Sequence, residues 1–510
     1  MQKKRFLING LWLTATTLIT RAIGIFFRVY MAGSIGAEAI GLYQLILTVY
    51  FFAVTFVTSG VTLVVTRLVT EALARGEKGK AKYITVKCLA FSVVLGAFVA
   101  AALYMNAGSL GASLLGDERT VLPFKILAPS LPFMAVSACL RGYFYARRTV
   151  LKTATEQLLE QVVEIGIFAA LVGKMAPMGL TYACCAVAIG TTASEFISCG
   201  YSYVLYRLDI RKTKKSAEKI AGFPKKALSI GLPVMVSSCL RSGLSLIENV
   251  MIPTGLKKHG SSAGEALEDY GAITGMVMPV ITFPAVFLFS FSMLMIPEFS
   301  EASSVAGRKA IQYMTSRLLR VVFLFSLPVA VMLFFFAEDL GQMIYGSAKI
   351  GTYIAMLAPL VPLMYLDSVV DGMLKGLNQQ IYHMTFNIID SSLRVILIIV
   401  LLPKCGIMGL IYVMYVSSIL NTGLSLLRLL KVAVIKIKIA SWVIKPFASA
   451  VVPCVAVQFV CELYAKNFIE VNAVLQMAAV LILYVLILLI SKSVEQEEIR
   501  WVKTLVKRAR

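Results

Sequence analysis

The stretch Leu127-Ala128-Pro129-Ser130-Leu131-Pro132 returns later in the chain as Leu357-Ala358-Pro359-Leu360-Val361-Pro362, at an offset of 230 residues. Outward from it at the same offset, Met178-Gly179-Leu180 and Tyr182 recur as Met408-Gly409-Leu410 and Tyr412, and Lys174 recurs as Lys404. A gapless comparison of residues 107–192 with their counterparts gives 19 identities in 86 positions, roughly three times what a composition this biased gives by chance. Gly41, Glu71 and Ala72 match Gly271, Glu301 and Ala302, while Arg21 aligns with Arg241 at an offset of 220. The chain is therefore a tandem duplication, and the segment 253–269 carries about ten extra residues.

Composition says what is duplicated. Of 510 residues, 59% are hydrophobic and 15% charged, and the mean hydropathy is +0.83. A soluble enzyme has about a quarter of its residues charged. Apolar runs of around 20 residues, enough for a helix to cross ~30 Å of hydrocarbon, recur from end to end. They predict an all-α integral membrane protein with fourteen spans near 6–33, 40–66, 83–106, 121–145, 155–173, 178–206, 227–252, 270–296, 318–336, 352–373, 381–402, 407–427, 443–463 and 471–490. The N-terminal run follows Lys3, Lys4 and Arg5 as a signal peptide would, but it is too long and carries Arg21 and Arg28, so it reads as the first span. The nine cysteines lie mostly in apolar stretches without a CxxC pair, and there are two histidines; this reads as buried small hydrophobes, with neither a disulfide framework nor a metal site.

The formal charge of +22 would raise nucleic-acid binding for a soluble chain. Its distribution points elsewhere. With both termini cytoplasmic, 35 of the 49 basic residues fall on the inner side and only seven (Arg119, Lys174, Lys257, Lys258, Lys349, Lys404 and Lys466) on the outer. This is the positive-inside pattern of a multi-pass protein of the cell membrane, and it leaves no reason to expect nucleic acid as a partner.

Each repeat has six spans, so both copies enter the membrane in the same direction. Residues 1–206 form an expected N-lobe, 207–226 a basic cytoplasmic linker and 227–432 a C-lobe, related by a pseudo-twofold axis along the membrane normal with a cavity between them. Two further spans occupy 433–490, and a basic cytoplasmic tail, 491–510, suits an anionic inner leaflet. Rocking of two bundles about a cavity is what a transporter requires. Pro129, Pro132, Pro279, Pro284, Pro359 and Pro362 interrupt spans and predict bends.

Ionisable residues inside spans are the candidate site, because an arginine at mid-bilayer costs roughly 2.5–3.5 kcal/mol even on lenient scales. Arg21 and Arg28 lie seven apart, nearly two helical turns, and Arg241 and Glu248 repeat that spacing. Guanidinium groups chelate phosphate oxygens in pairs, so Arg21, Arg28 and Arg241 are candidate contacts for an anionic, phosphorylated substrate; internal pairing, as of Arg28 with Glu248, is the alternative. Gln157, Glu160 and Glu164 share a face, with Asn387, Asp390 and Arg394 as their counterparts. Asp390 with Arg394, and Asp371 with Lys375, are spaced to pair within one helix. Glu160 and Asp367 are the candidates for ion coupling. No cofactor is expected, and transport would be coupled to membrane potential, H+ or Na+.

These residues sit in segments that resemble the multidrug/oligosaccharidyl-lipid/polysaccharide (MOP) exporter superfamily, specifically the polysaccharide-transporter branch with its sporulation proteins and Gram-positive lipid II flippases. The resemblance covers essentially the whole chain. It rests on Thr20 to Leu45, on Leu140 to Phe144 followed by Glu156 to Val163, and on Met356 to Gln379 followed by Gly406 to Leu410. It implies two six-helix lobes in a V and transport of undecaprenyl-pyrophosphate-linked sugars, such as a peptidoglycan precursor for the spore cortex. It further implies that Arg21, Arg28 and Arg241 are cavity arginines contacting pyrophosphate, and that the last two spans form a groove for the lipid tail. Val451, Val455, Val480, Leu483 and Val485 are available to line that groove. The implied partners are the lipid-linked oligosaccharide, membrane lipids and cell-wall synthases. The chain departs from the branch in having no basic residue on the second span before Arg67. The alternatives are a multidrug or cation exporter of the same superfamily, a prenyl-donor enzyme, which would need a metal-type carboxylate motif, and a non-transporting scaffold for cell-wall synthesis.

Overall fold

The computed structural model describes residues 2–211, 222–302, 307–435, 439–465 and 472–490. Most of the linker, at 212–221, and the tail 491–510 lie outside the described residues, as do the side chains of 2–18 and Arg21. The described residues are helical, without strands. Among the described residues, eight helices are long and apolar enough to cross a membrane, or nine if the bent pair around Pro129 counts as one span. The chain packs as two compact units, Met1–Gly275 and Met276–Arg510.

The first unit contains α1 (Gln2–Ala74), α2 (Lys78–Met105), α3 (Val121–Leu127), α4 (Ser130–Ala146), α5 (Val150–Met175), α6 (Leu180–Arg211), α7 (Phe223–His259) and α8 (Ala263–Gly271). α1 is interrupted at Gly36, whose φ of 78° and ψ of 168° are not helical. A side chain would be strained there, so glycine sets where the first arm ends and the second begins. Between α3 and α4 the axis bends by 47° at Pro129, where the missing N–H breaks the hydrogen-bond ladder.

The second unit holds α9 (Ala285–Glu301), α10 (Gly307–Phe335), α11 (Ala337–Tyr345), α12 (Ala348–Leu357), α13 (Val361–Gly376), α14 (Gln380–Ala433), α15 (Lys445–Ala465) and α16 (Ala473–Ile490). α14 breaks at Gly406, with φ 57° and ψ −138°. A helix of 54 residues would extend about 80 Å unbroken, more than twice the hydrocarbon thickness.

The duplication found in sequence recurs as local geometry within each unit. Arg148 and Asn378, 230 apart, both have φ of 57°. Each follows a helix closed in the same way, by Thr149 N–H to Phe144 O at 3.0 Å and by Gln379 N–H to Leu374 O at 2.7 Å. Asp117 N–H to Gly111 O and Ser347 N–H to Gly341 O are likewise the same turn at the same offset. Helix crossings repeat as well. A Cβ on Gly142 would lie 2.8 Å from Thr62 O, and one on Gly372 would collide with Ser292, the residue 230 beyond Thr62. Interhelical hydroxyls reinforce the first crossing, with Thr62 Oγ1 donating to Ala138 O and Thr66 Oγ1 to Gly142 O, both at 3.2 Å. Close backbone approach and hydroxyl bonds are how helices associate where lipid removes the hydrophobic drive.

α15 and α16 pack on each other and on α10, tied by Gln458 Nε2 to Phe335 O at 2.9 Å and Tyr484 OH to Leu324 O at 2.7 Å. Val480 is buried, whereas Val455, Leu483 and Val485 are exposed. Of the nine cysteines, six are buried.

Candidate functional site

In the first unit, α5 presents Glu156, Glu160 and Glu164 at intervals of four, hence on one face. α6 supplies Thr191 and Glu195 opposite, and α4 supplies Arg141. Glu156 is fully buried and Glu195 only 2% exposed. Arg141 Nη1 stands 4.0 Å from Glu156 Oε1, and its charge also acts on Glu160 and Glu195. The hydroxyls of Ser137 and Ser202 face Glu156 and act on it, although neither carboxylate oxygen has a hydrogen bond of ordinary length among the described residues. Further along α5, Thr191 Oγ1 donates to Glu164 Oε1 at 2.8 Å, with Tyr43 OH 3.3 Å from the same hydroxyl. Arg28 is exposed and acts electrostatically on Glu164 and Tyr43. Three carboxylates, Glu156, Glu160 and Glu195, thus cluster around Arg141, while Glu164 lies toward Arg28.

Arg241 is exposed and Glu248 buried, both on α7. Arg21 lies on α1, its side chain outside the described residues.

The second unit holds a different arrangement. Asp390 accepts from Ser417 Oγ at 2.7 Å and pairs with Arg394 Nε at 3.5 Å. Asp371 pairs with Lys375 at 2.6 Å and with His383 Nε2 at 3.0 Å, while His383 Nδ1 lies 3.3 Å from Ser425 Oγ. Both pairs expected from spacing are formed. Asn421 Nδ2 bridges Asp367 Oδ2 at 3.2 Å and Asn387 Oδ1 at 3.4 Å. Asp367 Oδ1 and Asn421 Oδ1 have no hydrogen-bond partner among the described residues. α13 and the two arms of α14 therefore converge on a knot of oxygen atoms around Asp367.

Sequence reasoning missed Glu156, Glu195, Arg141, His383 and Asn421. Glu195 and Arg141 were legible as lone charges in apolar runs, and Glu156 as one turn before Glu160. Asn421, uncharged and far from Asp367 in sequence, carried no signal.

The chain as a whole is similar to several known proteins. The chain is 29% identical over 509 residues to stage V sporulation protein B of Bacillus subtilis (strain 168), covering 98% of each. It is 22% identical over 487 residues to the lipid II flippase MurJ of the same organism, covering 86% of this chain and 88% of that one. Among solved structures, a lipid II flippase MurJ in an inward closed conformation superposes with a TM-score of 0.65 at 16% identity, covering 94% of this chain and 98% of the other. An inward-facing multidrug resistance MATE family transporter of the MOP superfamily gives 0.63 at 14% identity, covering 84% of this chain and all of the other. At these identities the structural likeness is one of fold, that of a multi-pass membrane transporter. Residues 6–303, more than half of the chain, match the family described as polysaccharide biosynthesis protein, and to that family the chain belongs.

Proposed function

We propose that the protein is a flippase, not an enzyme, moving undecaprenyl-pyrophosphate-linked oligosaccharide of the lipid II type from the inner to the outer leaflet by alternating access. The observation that carries the reading is likeness along nearly the whole chain to a sporulation protein, together with the fold of a lipid II flippase. The intramembrane charges support it. Arg28 and Arg241 are exposed on helices that otherwise carry apolar runs, which suits groups meant for an anionic ligand rather than for packing. With Arg21 they are assigned to the pyrophosphate.

The proposed topology has fourteen crossings with both termini cytoplasmic. The long helices α1 and α14 each contribute two, turning at Gly36 and Gly406. Two lobes of six spans then carry α15 and α16 beside the second, where they give the prenyl tail an apolar path. Coupling to H+ or Na+ is assigned to the two oxygen clusters, Glu156, Glu160 and Glu195 in the first unit and Asp367 with Asn421 in the second. Both offer buried oxygens without hydrogen-bond partners.

Competition binding in detergent tests the substrate class. A fluorescent undecaprenyl-pyrophosphate sugar should bind purified protein and be displaced by unlabelled lipid II, and cationic drugs should not displace it. Displacement by the drugs alone would favour the exporter reading.

A further inference from the structure

Two cavities of the first unit, neither of them part of the clusters above, share residues. One, of about 290 Å³, is lined by Lys78, Lys82, Arg147, Arg148 and Asp209, at the ends of α2, α4 and α6. The other, of about 360 Å³, is apolar and runs beside α2 and α6. Lys82 and Ile210 line both, so the basic cavity adjoins the apolar one. The α2 residues of the apolar groove are Lys82, Val86, Leu89, Ala90 and Val93, one face of the helix. From Lys82 to Val93 that face rises about 16 Å, close to half the thickness of the hydrocarbon core.

The basic cavity is not neutralised from within. Its single carboxylate, Asp209, is already engaged by Arg147 at 3.0 Å, Lys152 at 3.7 Å and Tyr143 OH at 3.0 Å. Lys78, Lys82 and Arg148 have no ion pair among the described residues, and Arg207 joins Lys82 at the lower end of the groove. Arg148 adds a second signal. It holds a left-handed φ of 57° that its counterpart in the repeat fills with Asn378, a residue better suited to it. At this turn the first repeat thus places a cation at the cavity where the second has an amide.

A positive cavity with room for a phosphate headgroup, adjoining an apolar groove one leaflet long, suits a single anionic lipid. We propose that α2, α4 and α6 bind an anionic phospholipid, its phosphate between Lys82 and Arg148 and one acyl chain along Val86 to Val93. The groove is too short for a long prenyl chain, so the occupant is a resident membrane lipid and not the transported substrate. The site follows from these cavities whether or not the flippase reading holds; the proposed orientation only puts it in the inner leaflet.

The test is native mass spectrometry of the full chain from micelles holding equal phosphatidylglycerol and phosphatidylcholine. Wild type should retain phosphatidylglycerol selectively. Lys82→Gln and Arg148→Asn should each lower retention about fivefold, with asparagine keeping the left-handed turn comfortable. Ala90→Trp should lower it with every charge intact, because it blocks the chain. If Arg148→Asn fails to fold, Lys78→Gln, at an exposed helix start, takes its place. Undiminished retention in the charge variants or in Ala90→Trp would overturn the proposal. So would displacement by glycerol phosphate alone, which marks a free-phosphate site, or by undecaprenyl phosphate, which marks a substrate site.

Discussion

Replacing Arg141 by methionine removes the cation facing fully buried Glu156, and the expected loss can be worked from the geometry. At the observed separation of 4.0 Å, Coulomb's law with an effective dielectric constant of about 20 gives an attraction of about 4 kcal/mol. Breaking a buried pair from one side costs a similar ~3–5 kcal/mol. Arg141 also acts on Glu160 and Glu195, so the loss should reach that range. Glu156→Gln with Arg141→Met removes both charges and should recover most of the stability, since the amide carries no charge to strand in the bilayer. The assay is reversible unfolding of purified protein in mixed micelles, comparing both single variants with the double. Additive losses, or Arg141→Met as stable as wild type, would refute the view that Arg141 holds this carboxylate cluster together.

Three further outcomes follow from other sites. Gly142→Leu and Gly372→Leu should each destabilise the protein by about 1–3 kcal/mol through overpacking at equivalent helix crossings, seen as lower thermal midpoints in detergent. Arg28→Ala and Arg241→Ala should weaken binding of the labelled substrate with little loss of folded protein, and the lysine variants should recover only part of it, because an ammonium lacks the planar fork; unchanged affinity would remove the residue from the site. Asp367→Asn should abolish the dependence of transport on an imposed ion gradient while substrate binding persists, as measured in proteoliposomes with H+ or Na+ gradients applied separately.

What could be read from the sequence was governed by periodicity and charge. The 230-residue repeat was visible because prolines and glycines that fix backbone geometry, such as Pro129 and Pro359, survive as letters; the matching left-handed turns at Arg148 and Asn378 did not, since neither residue type announces that conformation. The ion pairs Asp371 with Lys375 and Asp390 with Arg394 were legible because they lie four apart on one helix. The cluster of Glu156, Glu195 and Arg141 draws on three helices, and no local spacing encodes which faces meet. Asn421 beside Asp367 is harder still, joining residues 54 apart through the fold alone. The turns at Gly36 and Gly406 were expected as breaks between spans, and their conformations give the reason for glycine at each.

The central claim is translocation of a lipid-linked oligosaccharide, and leaflet exposure measures it. Labelled lipid II incorporated in the inner leaflet of proteoliposomes should become accessible to an impermeant sugar-modifying reagent in the presence of the wild-type protein. The rate should rise with the amount of protein and collapse in Arg28→Ala with Arg241→Ala. Exposure no faster than in protein-free vesicles, with folded protein inserted, would contradict the account.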